Sequence, residues 1–137
     1  EMTSSLVGSE MCIRDSSATV YEDSHFTVIL DVNPATKGHC LIIPKEHFDN
    51  IYDLDGETAG KLFALATCIA RAMRDALKCD GLNLVQNNGE IAGQTVNHFH
   101  LHLIPRYEGD GLNLNWPQQE ISGEQLEEIR QSIKKSI

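Results

Sequence analysis

Between positions 98 and 103 the chain reads His98-Phe99-His100-Leu101-His102-Leu103, three histidines alternating with three apolar residues. Strict alternation is the pattern of a β-strand with one buried face. Side chains at i, i+2 and i+4 of a strand share a face. The pattern predicts Phe99, Leu101 and Leu103 in a core, with His98, His100 and His102 pointing the other way together. At about 3.3 Å per residue the outer two imidazoles start about 13 Å apart. Pro105 is expected to end the strand, because proline cannot donate to a ladder. A strand of this kind needs an apolar layer behind it and a reason for the imidazoles in front.

The rest of the chain can supply that layer. Its 137 residues fit one domain with a real core, at 41% hydrophobic and 23% charged residues. Thr19-Val20-Tyr21 and His25 to Leu30 read as a hairpin across the turn Glu22-Asp23-Ser24. Asp31-Val32-Asn33-Pro34 ends it, and His39 to Ile43 is a buried strand stopped by Pro44. Leu62, Leu65, Ala66, Ile69, Met73, Ala76 and Leu77 recur at helical spacing, which predicts one long helix capped by Asp55 or a neighbour and stopped at Gly81. Leu82 to Val85 is another strand, followed by a polar loop from Gln86 to Gly93. Ser122 and Gln125 fit a capping box that opens a C-terminal helix. The order of elements predicts an α+β fold with about five strands in a mainly antiparallel sheet. Cys40 and Cys68 read as core residues and His25 as solvent-exposed.

Three domain segments are expected. Residues 1–16 are Ser-rich and without periodicity, and read as a poorly ordered or foreign arm resembling translated adapter sequence. Residues 17–112 form the patterned domain, and 113–137 a C-terminal loop and helix. Net charge of −9 speaks against a polynucleotide partner, which needs a basic footprint. No apolar run has the length of a membrane helix, and no secretory leader is evident. Four scattered cysteines without a C-x-x-C fit reduced thiols, and the expected location is the cytoplasm.

The histidine row admits three readings. As a solvated strand face it would be expected to mix Lys, Glu, Thr and Ser rather than repeat one residue type. As a metal site, two of its imidazoles share an ion with a further ligand such as His39 or Glu90, and the chain is a zinc-dependent hydrolase. As a nucleophilic site, a neutral imidazole attacks phosphorus while its other nitrogen is held as N–H, and the backbone of Gly93 and Gln94 and the hydroxyl of Thr95 stabilise the phosphate oxygens.

The stretch from Gln86 to Ile104, with its His-x-His-x-His followed by two apolar residues, resembles the signature of the histidine triad (HIT) family. Asp31-Val32-Asn33-Pro34, Lys37-Gly38-His39 and Ile43-Pro44-Lys45-Glu46-His47 match family segments as well, so the resemblance runs from about Ser17 to Gly111. It implies a HIT-like half-barrel sheet, a homodimer, and hydrolysis or transfer of nucleoside monophosphate groups from purine nucleotide conjugates, without a cofactor. On this resemblance His100 is the nucleophile that forms a nucleotidyl-histidine intermediate. His102 contacts the phosphate, His98 supports the leaving-group side, and His39 is the additional active-site histidine. Asp31 accepts hydrogen bonds from the ribose and Ile29 lines the base pocket. Asn87, Gly93 and Thr95 lie at or around the phosphate, with Gln94 shaping their loop. Asp31 and Asn87 lean towards phosphoramidate hydrolases, and Ile104 to Asp110 towards dinucleoside polyphosphate hydrolases. Bacterial relatives hold a structural zinc with a C-x-x-C and histidines equivalent to His47 and His98. The cysteine pair is missing here, so no metal is expected. A nucleotide-binding module without turnover is the alternative from a different class.

Overall fold

The computed structural model describes residues 18–137, so the expectations for residues 1–16 lie outside the described residues. Five strands form one antiparallel sheet: β1 (Thr19–Glu22), β2 (Phe26–Leu30), β3 (Cys40–Pro44), β4 (Gly81–Val85) and β5 (Leu101–Arg106), in the spatial order β1-β2-β3-β5-β4. Helix α1 (Gly56–Leu77) lies between β3 and β4 in the chain, and α2 (Gly123–Ser136) follows β5. This is the predicted α+β architecture with the predicted number of strands.

Alternation along the central strands separates two faces. Phe26, Val28, Cys40, Ile42, Leu101 and Leu103 pack with Leu62, Ala66, Ile69 and Met73 of α1 in one core. Leu103 and Ile42 are completely buried there, and truncating such a side chain to Ala typically costs about 2–5 kcal/mol. The opposite face carries a row in register across four strands: Ile29 opposite Leu41, Leu41 opposite His102, His102 opposite Val85. Ile29, Leu41 and Ile43 make a small apolar cluster on this second face. The imidazole of His102 therefore stands beside apolar neighbours with the main core directly behind its strand.

Helix α1 is capped as expected. Asp55 accepts from Thr58 N–H at 3.0 Å, which satisfies one of the free amides of the first turn. The helix stops at Lys78, which adopts φ +55 and returns its N–H to Arg74 O, whereas Gly81 is already the first residue of β4. Ala76 and Cys68, placed on the apolar side by sequence, are both exposed. The buried stripe is the narrower set Leu62, Ala66, Ile69 and Met73. Cys40 is buried as expected and His25 is exposed. The Ser122–Gln125 capping box is present, although every residue of α2 is solvent-accessible.

The histidine strand differs from expectation at both ends. The ladder begins at Leu101, so His98, Phe99 and His100 lie ahead of it, and Phe99 N–H bonds instead to Phe48 O at 2.6 Å. Pro105 does not end β5 but pairs with Leu82 inside it. Its carbonyl faces Thr36 Oγ1, which places the ring nitrogen on the same side. The last β3 residue paired with β5 is Cys40, opposite Leu103. The missing amide of Pro105 thus faces a position where no ladder bond is needed, the setting in which a strand tolerates proline.

Candidate active site

His100 sits between the loop and β5, half-buried, with its ring 4.9 Å from that of His102 in an edge-on arrangement. Its Nδ1 is 2.7 Å from the carbonyl oxygen of His98. A carbonyl only accepts, so Nδ1 carries the proton of the neutral ring and Nε2 keeps its lone pair. His100 is thereby fixed in the tautomer that a nucleophile requires.

His98 is held in a different way. It is only 3% exposed, and its Nε2 donates to Pro44 O at 2.9 Å. Its Nδ1 lies 3.1 Å from Nδ1 of His47, whose Nε2 is 2.7 Å from Asp49 Oδ1. Both ring nitrogens of His98 are thus occupied by protein partners. Burial lowers its pKa and keeps the ring neutral. What His98 offers the site in this arrangement is its main-chain carbonyl, which orients His100.

His39 and His102 come together although 63 residues separate them. His39 Nε2 is 2.9 Å from His102 Nδ1 and 3.8 Å from Asp31 Oδ2. Burial pushes the His102 imidazole down to about 4, and burial also lowers His39. One carboxylate oxygen of Asp31 is tied down by Asn33 N–H at 2.8 Å, which closes the turn after β2. The structure therefore assembles His39, His100, His102 and Asp31 at one end of the open sheet face.

Two of these clusters test the metal reading. Ligand atoms of Asp31, His39 and His102 lie within 4.8 Å of one another, a spacing an ion could bridge. The surroundings do not fit. A histidine that ligates through one nitrogen donates its other N–H to an acceptor. Here the second nitrogen of His39 faces a donor, the Ala35 N–H at 3.0 Å. His47 and His98 supply two nitrogens only, already bonded to each other, and no C-x-x-C accompanies them in the sequence. The Asp31, His39 and His102 set thus lacks the outer acceptor, whereas His47 and His98 have theirs in Asp49 Oδ1 and Pro44 O but make only two of the four ligands of a zinc site.

The loop before the histidines is built by Gln94. Its side chain accepts from Gly89 N–H at 2.8 Å and donates to Asp49 O at 2.6 Å and Val96 O at 3.1 Å. Gly93 has φ +97 after the 3₁₀ turn Glu90–Ala92, a conformation that favours glycine. A Cβ there would stand 3.5 Å from Asn87 Nδ2, so the Asn87 side chain lies against the Gly93 backbone. Thr95 is exposed and Ile29 is only 1% exposed, in its cluster with Leu41 and Ile43. Glu90 is exposed and is not part of the Asp31, His39 and His102 group. Thr36, Ala35 and Asp49 all bond into the histidine cluster or its loop and carry no sequence signal of their own.

The HIT domain model matches residues 14–109 of the chain. The chain belongs to the HIT family. Its relatives include a HIT protein of Bacillus subtilis, 46% identical over 124 residues that make up 88% of this chain and 86% of that one. An adenosine 5'-monophosphoramidase of Saccharomyces cerevisiae is 38% identical over 118 residues, 85% of this chain and 72% of that enzyme. Among solved structures, a HIT family protein of Bacillus anthracis superposes with a TM-score of 0.82 at 44% identity, covering 88% of this chain and 87% of that one. The fold of this HIT protein is thus that of its family, and no helix among the described residues is long and apolar enough to cross a membrane.

Proposed function

We propose that this HIT protein is a nucleotidyl hydrolase or transferase that cleaves purine nucleoside monophosphate conjugates through a nucleotidyl-His100 intermediate. The observation that carries the reading is the His98 O···His100 Nδ1 bond of 2.7 Å, which leaves His100 Nε2 as a free lone pair. Nε2 attacks the α-phosphorus, and the bond to the leaving amine or phosphate breaks with its electron pair on the leaving group, which takes up a proton. Water then attacks the same phosphorus, the P–Nε2 bond breaks, and a proton is released, restoring neutral His100. His102 presents an N–H to a phosphate oxygen, and His39 supports it. Asp31 accepts hydrogen bonds from the ribose hydroxyls through Oδ2, the oxygen not bonded to Asn33 N–H. Gly93, Gln94 and Thr95 form the turn that receives the phosphate, Asn87 packs on that turn, and Ile29 borders the base. His98 serves through its backbone. The enzyme works in the cytoplasm without a metal.

Relatives from two yeasts, 38% and 37% identical, are adenosine 5'-monophosphoramidases, which favours an adenosine phosphoramidate as the substrate. The decisive measurement is turnover of such a substrate by the wild type and by His100→Ala, with mass spectrometry of quenched enzyme. An adenylyl adduct on His100 and loss of turnover in the variant are expected. Wild-type rates in His100→Ala would overturn the assignment, and an unreactive wild type that still binds nucleotide would point to a binding module instead.

The same reading includes a homodimer. Strand β4 is an edge of the sheet, and Leu84 on it and Phe63 on α1 are 42% and 54% exposed. They border an apolar groove that continues over Ile51 and Leu54. An unpaired strand edge beside exposed apolar side chains is a surface that a second copy can cover.

A further inference from the structure

The turn between β2 and β3 is closed by Asp31 N–H to His39 O at 2.8 Å and His39 N–H to Thr36 O at 3.2 Å. Within it, Ala35 N–H donates to His39 Nδ1 at 3.0 Å. Thr36 is polar yet only 8% exposed, and its hydroxyl donates to Pro105 O at 2.5 Å. Pro105 lies on β5, the strand that carries His102. The turn is therefore joined to β5 twice, once by Thr36 and once by the His39–His102 contact.

The direction of this relay follows from its first member. A backbone amide can only donate. His39 Nδ1 therefore accepts, and neutral His39 carries its proton on Nε2. That proton goes to His102 Nδ1 at 2.9 Å, so neutral His102 carries its own on Nε2. Burial keeps both rings neutral, so the tautomer decides which nitrogen donates. Asp31 Oδ2, 3.8 Å away, is the competing acceptor for the His39 proton. The Ala35 bond and the closed turn keep the ring aimed at His102.

We infer that the Asp31–His39 turn acts as a tautomer clamp on His102, holding it with a proton on Nε2 and its ring plane fixed, and that Thr36 is the positioning residue that pins this turn to β5. Only the use of that N–H, on a phosphate oxygen, rests on the proposed reaction; the clamp itself does not.

Long-range ¹⁵N NMR of the imidazole nitrogens tests it. In the wild type, His102 is expected with Nε2 protonated and Nδ1 not, and His39 likewise. Thr36→Val should broaden or split the His102 nitrogen signals and speed hydrogen exchange at the Ala35 amide. It should also lower kcat on the order of tenfold with little change in KM, and Thr36→Ser should restore all three. Wild-type His102 protonated on Nδ1 would overturn the clamp. So would a Thr36→Val protein with wild-type ring nitrogens and kcat. Should Thr36→Val not fold, His39→Phe removes the Nε2–H donor to His102 Nδ1 itself and the His102 nitrogens are read there, an unchanged spectrum being the contrary result. If no nucleotide conjugate is turned over, the nitrogen spectra decide the clamp alone.

Discussion

The carbonyl oxygen of His98 lies 2.7 Å from Nδ1 of His100, while the His98 ring itself is turned away towards Pro44 O and His47. One histidine thus orients another with its backbone and uses its side chain to hold the structure together.

His98→Ala separates these two contributions. The substitution leaves the carbonyl in place but empties a buried site and orphans Pro44 O. Stability should drop by about 3 kcal/mol, read from urea unfolding. Turnover by the folded protein should fall far less than in His100→Ala. Equal kinetic damage from the two variants would show that the His98 ring takes part in the chemistry.

Acid should destabilise the fold through His102. Its pKa falls from an ordinary 6.5 to about 4 because burial penalises the charged ring. A depressed pKa means that the unfolded chain binds the proton more readily, so stability is full above about pH 6.5 and is lost as pH falls towards 4. The loss is on the order of 3 kcal/mol, and burial of His39 and His98 acts in the same direction. Tm measured from pH 8 to pH 4 should decline through this window, with a shallower decline in His102→Asn. Parallel curves for the two proteins would contradict the assignment.

Metal removal should leave activity intact. His39 faces an amide donor on the side where a metal-bound histidine needs an acceptor. Dialysis against EDTA followed by assay in metal-free buffer should return the untreated rate. A loss that added zinc reverses would revive the metal-dependent reading.

Leu84→Glu should yield a monomer. Leu84 lies on the edge strand beside Phe63, and a buried carboxylate there would oppose pairing of two copies. Sedimentation equilibrium of the wild type and the variant reads this directly; a wild type that is monomeric at all concentrations removes the dimer from the proposal.

The sequence made the local devices legible. Asp55 and Ser122 announce their helices because a cap bonds within three residues, and alternation correctly placed Phe99, Leu101 and Leu103 in the core. It could not say where the ladder starts, since an extended chain keeps alternating even where its hydrogen bonds go elsewhere, as Phe99 shows with Phe48. Pro105 departs from expectation for a related reason, since whether a proline breaks a strand depends on which neighbour its backbone faces. Gly81 does so because Lys78 itself takes the left-handed turn that ends the helix. Helical spacing likewise did not reveal that Ala76 and Cys68 lie beyond the edge of the buried stripe. The resemblance supplied the residues of the candidate site, but the bond polarities that rank them depend on pairs far apart in sequence. Thr36 and Pro105 are 69 positions apart, and no local pattern joins them.

On β5, His102 faces outward while Leu101 and Leu103 on either side of it face the core. Chemistry and folding are thereby written on alternate letters of one short word. A mutational library confined to the outward positions would explore new reactivity on an intact scaffold. The same diversity shifted by one residue would mostly return unfolded protein. For anyone seeking to redesign this site, reading frame matters more than the number of positions varied.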